Sequence, residues 1–211
     1  MIAIALVLAA SAFAPASAPA SAPASAPEAR EEPWIEEHAP VRGMWELGGF
    51  AGAFVIAQPH DFYDRALGFR QLRRAAPDAG LRAAYFPLSF VGVEGEFAGI
   101  WTSAKYGKEP AFLYGLRFHA ILQLPFYRLV PFIVGGYGLM GVRSNQDALG
   151  NDVDPVGHYG AGVKLFVNRW VALRIDGRHV IGAAAQQRRR IANHGEITFG
   201  VSVTLGRGSR R

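Results

Sequence analysis

Hydrophobic and polar residues alternate with a period of two in many segments of the chain after Gly43. The clearest segment is 169–182, RWVALRIDGRHVIG, in which Leu173 and Ile175 share one phase and Arg174 and Asp176 share the other. A period of two predicts a β-strand with one apolar face and one polar face. Which of the two faces points into the protein therefore decides what kind of β protein this is.

The same alternation recurs in eight segments, and these predict the strands of an all-β protein. They are 44–57, 80–86, 90–101, 111–123, 130–142, 156–167, 169–182 and 195–205. Most are near the ~9–11 residues that a tilted membrane strand requires. Short turns follow the second, fourth and sixth segments, and longer polar connections follow the others, at 58–79, 102–110, 143–155 and 183–194. This pattern predicts an eight-stranded antiparallel up-and-down transmembrane β-barrel.

The composition of the two faces indicates which one is inside. The polar face is rich in Gly, Ala, Ser and Thr, which suits a narrow packed lumen better than a solvated surface. The other face is large and aromatic, with Trp101, Tyr114, Tyr159 and Trp170 near strand ends, where interfacial girdles lie in membrane barrels. We therefore expect the apolar face to contact lipid. A soluble lipocalin-like carrier, with its apolar face inside, is the alternative.

Charged residues on the polar face balance in sign when they are placed inward. The anions are Glu46, Glu94, Glu96, Asp176 and Glu196, and the cations are Arg82, Arg117, Lys164, Arg174 and Arg178. A dry lumen requires such balance, because an unpaired buried charge costs several kcal/mol. The third and seventh strands stand on opposite walls of an eight-stranded barrel. The pattern thus predicts that Glu94 and Glu96 reach across to Arg174 and Arg178.

The N-terminal region differs from the rest of the chain. Residues 1–14, MIAIALVLAASAFA, are predicted to be a signal peptide, although no basic residue precedes the apolar run. A membrane anchor is the alternative, but the run is shorter than the ~18 residues of a spanning helix. Residues 15–42 form a Pro/Ala/Ser-rich linker, 43–206 the barrel and 207–211 a basic tail.

Composition narrows the function classes. The net charge of +5 is distributed over short Arg clusters with no basic helical stripe, so we expect no nucleic-acid binding. The chain has no Cys, which excludes disulfides and thiolate metal sites. His60, Asp61 and Asp64 open the first long connection, but no partner groups for catalysis or metal binding are evident. We therefore expect no enzyme activity, no metal and no cofactor.

Residues 43–206 resemble the small outer-membrane β-barrel family typified by the transmembrane domain of OmpA. The resemblance lies in YFPLSFVGVEGEF, VPFIVGGYGLMG, HYGAGVKLFVNRWVALRIDGRHV and EITFGVSVTL, of which the third is the most specific. It implies a Gram-negative outer membrane, periplasmic short turns, surface loops, a lumen filled by ion pairs and insertion by the barrel-assembly machinery. Many such barrels end on an aromatic residue that assists assembly, whereas this sequence ends TLGRGSRR.

Three functions are consistent with this interpretation of the sequence. The first is a structural or surface-interaction barrel whose long loops face the cell exterior. Two basic clusters in those loops are candidates for binding lipopolysaccharide phosphates, although ordinary solvated loop charge is the favoured explanation. They comprise Arg73 and Arg74 in the first loop and Arg188, Arg189 and Arg190 in the last. The second function is a small gated pore, and the third is the soluble carrier. The sequence identifies no surface partner beyond outer-membrane lipid and lipopolysaccharide.

Overall fold

Eight antiparallel strands close into one barrel, as the alternation predicts. The computed structural model describes residues 38–58, 60–64, 66–106, 109–144, 149–183 and 191–206. The strands are β1 (Met44–Val55), β2 (Ala75–Phe86), β3 (Val91–Ser103), β4 (Pro110–Gln123), β5 (Leu129–Ser144), β6 (Asn151–Phe166), β7 (Val171–Ala183) and β8 (Ile191–Leu205). Each strand pairs with its neighbours in the chain, and β8 pairs with β1. Within the described ranges no helix is long and apolar enough to cross a membrane.

Several strands extend further toward the long connections than the sequence pattern predicts. β2 begins at Ala75 instead of residue 80, β6 at Asn151 instead of 156, and β8 at Ile191 instead of 195. The first long connection therefore spans 56–74, not 58–79. Most of the additional strand residues are small or polar, and Val153 and Ile191 are the large apolar ones among them, so the apolar alternation there is too sparse to predict a strand. Their backbones nevertheless continue the ladder, as in the pair Ala75 and Val55.

Proline residues within the strands lie where the wall is paired on one side only. Pro77 pairs with β1, but the pairing of β2 with β3 begins at Asp78. Pro155 pairs with β5, but the pairing of β6 with β7 begins at Gly157. Because proline has no backbone N–H, it is compatible with a strand only on such an unpaired side. This explains why neither proline breaks its strand.

The outer surface of the barrel is apolar. Leu81 is 69% exposed, Tyr137 74% and Phe199 62%, whereas Ser202 in the opposite phase of β8 is only 3% exposed. Charged side chains occupy the inner face instead. The predicted direction of the faces is therefore confirmed, and the soluble-carrier alternative is wrong because such a carrier would bury its apolar face.

Buried residues inside the barrel form three levels. The lower cluster, at the end of the short turns, is apolar and consists of Met44, Ala84, Phe86, Ile121, Val130, Phe132, Val134, Phe166 and Ala172. The upper cluster, at the end of the long connections, is also apolar and includes Phe54, Ile56, Phe62, Tyr63, Leu72, Ile100, Leu113, Met140, Leu149 and Val156. The buried charged residues of the strands and the histidines His119 and His158 lie between the two clusters and are called the charged middle below.

The C-terminal end of the predicted linker contacts the barrel. Val41 packs against the lower cluster, and Ala39 is buried. The predicted signal peptide (1–14), most of the linker and the basic tail (207–211) lie outside the described residues.

Candidate functional site: the charged barrel interior

All ten ionisable residues predicted to face inward lie inside the barrel, and none is more than 5% exposed. They are Glu46, Arg82, Glu94, Glu96, Arg117, Lys164, Arg174, Asp176, Arg178 and Glu196. Their strands bring them together because each occupies the inward phase of its own strand. Eight of them form one connected set of ion pairs across the barrel, and Lys164 forms a separate pair with Glu46.

The central contact joins β3 to β7 across the interior. The Arg174 guanidinium donates to both carboxylate oxygens of Glu94, with Nη1 at 3.0 and 2.8 Å. Its Nε and Nη2 donate to Oδ2 of Asp176 at 2.8 and 2.5 Å. Thr198 donates its hydroxyl to the other Asp176 oxygen. Hydrogen bonds between a guanidinium and a carboxylate are charge-assisted and about twice as strong as bonds between neutral groups.

A second group of pairs lies beside the first. Arg178 Nη1 donates to both oxygens of Glu96, at 2.9 and 2.8 Å. Arg117 forms two bonds to Glu196, both 2.7 Å long, and a third to Glu96 at 2.5 Å. Arg178 Nη2 also contacts Asp176 at 3.0 Å, and this contact connects the two groups.

Lys164 connects the charged middle to the lower cluster. Its Nζ donates to the two oxygens of Glu46 at 3.0 and 2.8 Å and to Gln123 at 3.3 Å. The same Nζ lies 4.4 Å from the ring centroid of Phe86. The ammonium group thus has a carboxylate, an amide oxygen and an aromatic face as partners, which compensates its complete burial.

Arg82 is the most weakly bonded cation of the predicted set. Its Nη1 lies 3.7 Å from Asp176, and its side-chain nitrogens have no hydrogen-bond partner among the described residues. The guanidinium stacks 5.3 Å from the Phe50 ring centroid and fills the space opposite Gly200. A Cβ at Gly200 would lie 1.6 Å from Arg82 Nη2, so this glycine provides the room for Arg82.

Sequence reasoning missed several members of the charged middle. His119 bonds Glu94 at 2.7 Å and, through its other ring nitrogen, His158 at 3.1 Å. Their strand phase, which they share with Arg117 and Lys164, was the available signal. Asp78, also buried, was missed because it precedes the predicted start of β2.

This architecture is shared with known outer-membrane proteins, two solved structures among them. The N-terminal β-barrel domain of Pseudomonas aeruginosa OprF is 14% identical, with a TM-score of 0.53, over 78% of this chain and 98% of that one. Neisserial surface protein A is 16% identical, with a TM-score of 0.57, over 76% of this chain and 96% of that one. This chain has the fold of the small eight-stranded outer-membrane β-barrels. No family model and no curated protein matches the sequence.

One group in this outer-membrane-type barrel has the spacing of a metal site. Ligand atoms of Glu94, Glu96 and His119 lie within 4.8 Å of one another, the one such group found in the described part of the chain. However, both carboxylates already accept hydrogen bonds from Arg174, Arg178 and Arg117. Three guanidinium groups around the site repel a further cation, so these residues do not fit a metal ion.

The predicted loop cations lie apart from the interior. Arg73 and Arg74 are exposed at the end of the long connections, and Arg73 N–H donates to the Ser103 carbonyl at 3.0 Å. Arg188, Arg189 and Arg190 lie outside the described residues. The charged interior and the basic rim are therefore two separate features.

Proposed function

We propose that the protein is an integral outer-membrane barrel with a structural and surface-interaction role. The supporting observation is the filled interior. Two apolar clusters and the charged middle between them occupy the barrel at three levels. Eight-stranded barrels are just wide enough for side chains to fill. Function then depends on the ends of the barrel, which the rigid wall presents on each side of the membrane.

A small gated pore is the alternative role, and the geometry argues against it. Ion passage would require separating Arg174 from Glu94 and displacing both apolar clusters. Each of these steps is costly because it exposes an unpaired buried charge or buried apolar surface. We expect no steady conductance from the purified barrel in a planar bilayer, and sustained conductance would favour the pore.

The interior also supports a non-enzymatic role. The carboxylates of Glu46, Glu94, Glu96, Asp176 and Glu196 each accept a hydrogen bond from Lys or Arg. Such carboxylates hold the wall together and are not poised as acids or bases. The proposal therefore assigns them to stability.

Orientation and the outer partner are part of the proposal. Barrels of this type turn tightly on the periplasmic side and carry longer loops outside. In the proposed orientation Arg73 and Arg74 face the phosphates of lipopolysaccharide, which Arg binds well through its fork of N–H donors. Insertion by the barrel-assembly machinery is expected for any protein of this kind.

Epitope accessibility tests the orientation. A tag inserted after Tyr106, which is 72% exposed at the β3–β4 connection, should be labelled on intact cells. A tag between Leu88 and Ser89, in the short β2–β3 turn, should be labelled only after the outer membrane is permeabilised. Labelling of the second tag on intact cells, with the first protected, would reverse the proposed orientation.

A charge-reversal pair tests the outer partner. Arg73→Glu combined with Arg74→Glu should weaken binding of the purified barrel to lipopolysaccharide several-fold, and added salt should have a similar effect on the parent. Arg169→Glu is the matched control, because Arg169 is an exposed cation at the opposite end, over Trp170. Equal loss in both variants would indicate nonspecific charge attraction and contradict the assignment.

A further inference from the structure

The connection between β1 and β2 folds into the mouth of the barrel. Phe62, Tyr63 and Leu72 from this segment are at most 5% exposed and form part of the upper cluster. Leu72 also forms an isolated β-bridge with Ala104 beyond the end of β3. The described residues of segment 56–74, all but 59 and 65, therefore cover the mouth and are called the cap below.

A stack of aromatic rings runs from the cap into the barrel wall. The centroid distance is 5.2 Å between Phe69 and His60, 5.8 Å between His60 and Phe62, and 5.1 Å between Phe62 and His194. The stack ends on the wall, where His194 lies 5.5 Å from Phe54. Two imidazoles thus sit among apolar rings, one in the cap and one on β8.

Both imidazoles accept backbone hydrogen bonds: His194 of β8 joins the cap to the wall, and His60 closes a bond within the cap. The Leu72 N–H donates to Nε2 of His60 at 3.3 Å, and the Ala57 N–H donates to Nδ1 of His194 at 3.1 Å. Ala57 and Leu72 lie near the two ends of the cap. The other ring nitrogens, His60 Nδ1 and His194 Nε2, are buried with no hydrogen-bond partner in the described residues.

A ring nitrogen accepts a hydrogen bond only while it carries no proton. Protonation of His60 or His194 would convert that acceptor into a donor facing another donor, and it would leave a charge among aromatic rings. We propose that the cap is acid-released: neutral His194 fastens it to the barrel wall, neutral His60 keeps it folded over the mouth, and their protonation frees it and exposes the upper cluster.

The surroundings offer little to stabilise the charged forms. The titratable group acting on His60 is His194, and the one acting on His194 is His179 of β7. Asp61 follows His60 in the chain, Asp64 lies further along the cap, and Asp78 of β2 faces the interior. The neighbours contributed by β3 to β7 in the upper cluster are apolar, namely Ile100, Leu113, Met140, Val156 and Val180.

The direction of the effect follows from the pKa of His60. Burial, and then the neighbouring His194, lower this pKa from 6.5 to about 4. A lowered pKa in the capped state means that the uncapped state binds the proton more tightly. The stabilising contribution of neutral His60 is therefore complete above about pH 6.5 and is lost as the pH falls through about 4.

A buried reporter thiol measures cap release in the folded full-length protein. The chain contains no Cys, so Ala111→Cys, in the upper cluster, introduces a single thiol beneath the cap. Its reaction with a dipyridyl disulfide, which labels thiols in acid, is normalised to the unfolded protein at the same pH. As the pH falls from 7 to 4, the equilibrium constant for cap opening should increase about a hundredfold. Ala172→Cys, in the lower cluster, is the control and should stay protected.

Two substitutions replace the titrating acceptors with permanent ones. In His60→Gln the amide oxygen can take the place of Nε2, and in His194→Asn it can take the place of Nδ1. The double variant should keep its reporter protected at pH 4, whereas His158→Gln, in the charged middle, should release the cap like the parent. A parent reporter that stays protected to pH 4 would overturn the proposal. So would a double variant that opens at the parental pH, or a His158→Gln variant that fails to open.

Discussion

The charged middle and the cap close the same barrel by different physical means. In the charged middle, side chains from opposite walls meet through ion pairs, and strand phase alone brings them there. Glu94 and Arg174 are 80 residues apart in the chain and lie in contact. In the cap, a connection folds back and closes the mouth with stacked rings and two backbone hydrogen bonds to imidazoles.

The difference indicates which parts of such a barrel unfold together with the wall and which can open separately. Removing an ion pair from the middle disturbs strands on both sides of the barrel at once. Releasing the cap leaves every strand pair in place. Local opening at low free energy is typical of segments attached to a rigid scaffold through few contacts. We therefore expect substitutions in the two regions to differ sharply in their effect on unfolding.

Loss of Arg117 should have the largest effect. Arg117→Met removes three hydrogen bonds and leaves Glu196 and Glu96 with fewer buried partners. The free energy of barrel unfolding, measured by urea titration in lipid vesicles, should fall by about 3–5 kcal/mol. Arg70→Met is the control, because its pair with Glu109 at 3.0 Å is exposed, and it should cost about 0–1 kcal/mol. Equal decreases in unfolding free energy for Arg117→Met and Arg70→Met would show that the interior is not shielded from water.

A charge on the outer surface should have the next largest effect. Val201 is 53% exposed on the apolar face of β8, so Val201→Arg places a guanidinium in lipid. Unfolding free energy should fall by about 2–4 kcal/mol if the site is near the bilayer midplane. Val201→Thr, which keeps the shape without a charge, should change it much less. If Val201→Arg inserts and unfolds like the parent, the lipid-facing phase of β8 is wrong.

The smallest effect on the barrel should come from the cap. Phe62→Ala removes the central ring of the stack, which should favour cap opening by about 3 kcal/mol. Hydrogen exchange at the Leu72 amide should then accelerate by about a hundredfold. The free energy of barrel unfolding, measured in urea from the cap-open state, should change by less than about 1 kcal/mol. Phe86→Ala, in the lower cluster, is the matched control and should destabilise the barrel itself. Similar barrel losses in the two variants would mean that cap and wall unfold as one unit.

This comparison also explains what the sequence could predict. Alternation identifies the strands, their faces and the inward ion-pairing residues, because a strand fixes the side of every residue along its length. Alternation does not identify Asp78 as an inward-facing residue, because the small and polar residues at the start of β2 show no alternation. Alternation says nothing about His60, because a connection between strands has no periodicity. The position of a connection depends on packing against residues far away in the chain.

The central claim is that the charged face is a shared interior, and the pair Glu94 and Arg174 tests it most directly. A double-mutant cycle compares Glu94→Gln, Arg174→Met and their combination by barrel unfolding. Because each single change leaves a buried partner behind, the double variant should lose less than the sum of the two single losses, by about 1–3 kcal/mol. Additivity within about 0.5 kcal/mol would show that the two side chains do not interact and would contradict the packed interior.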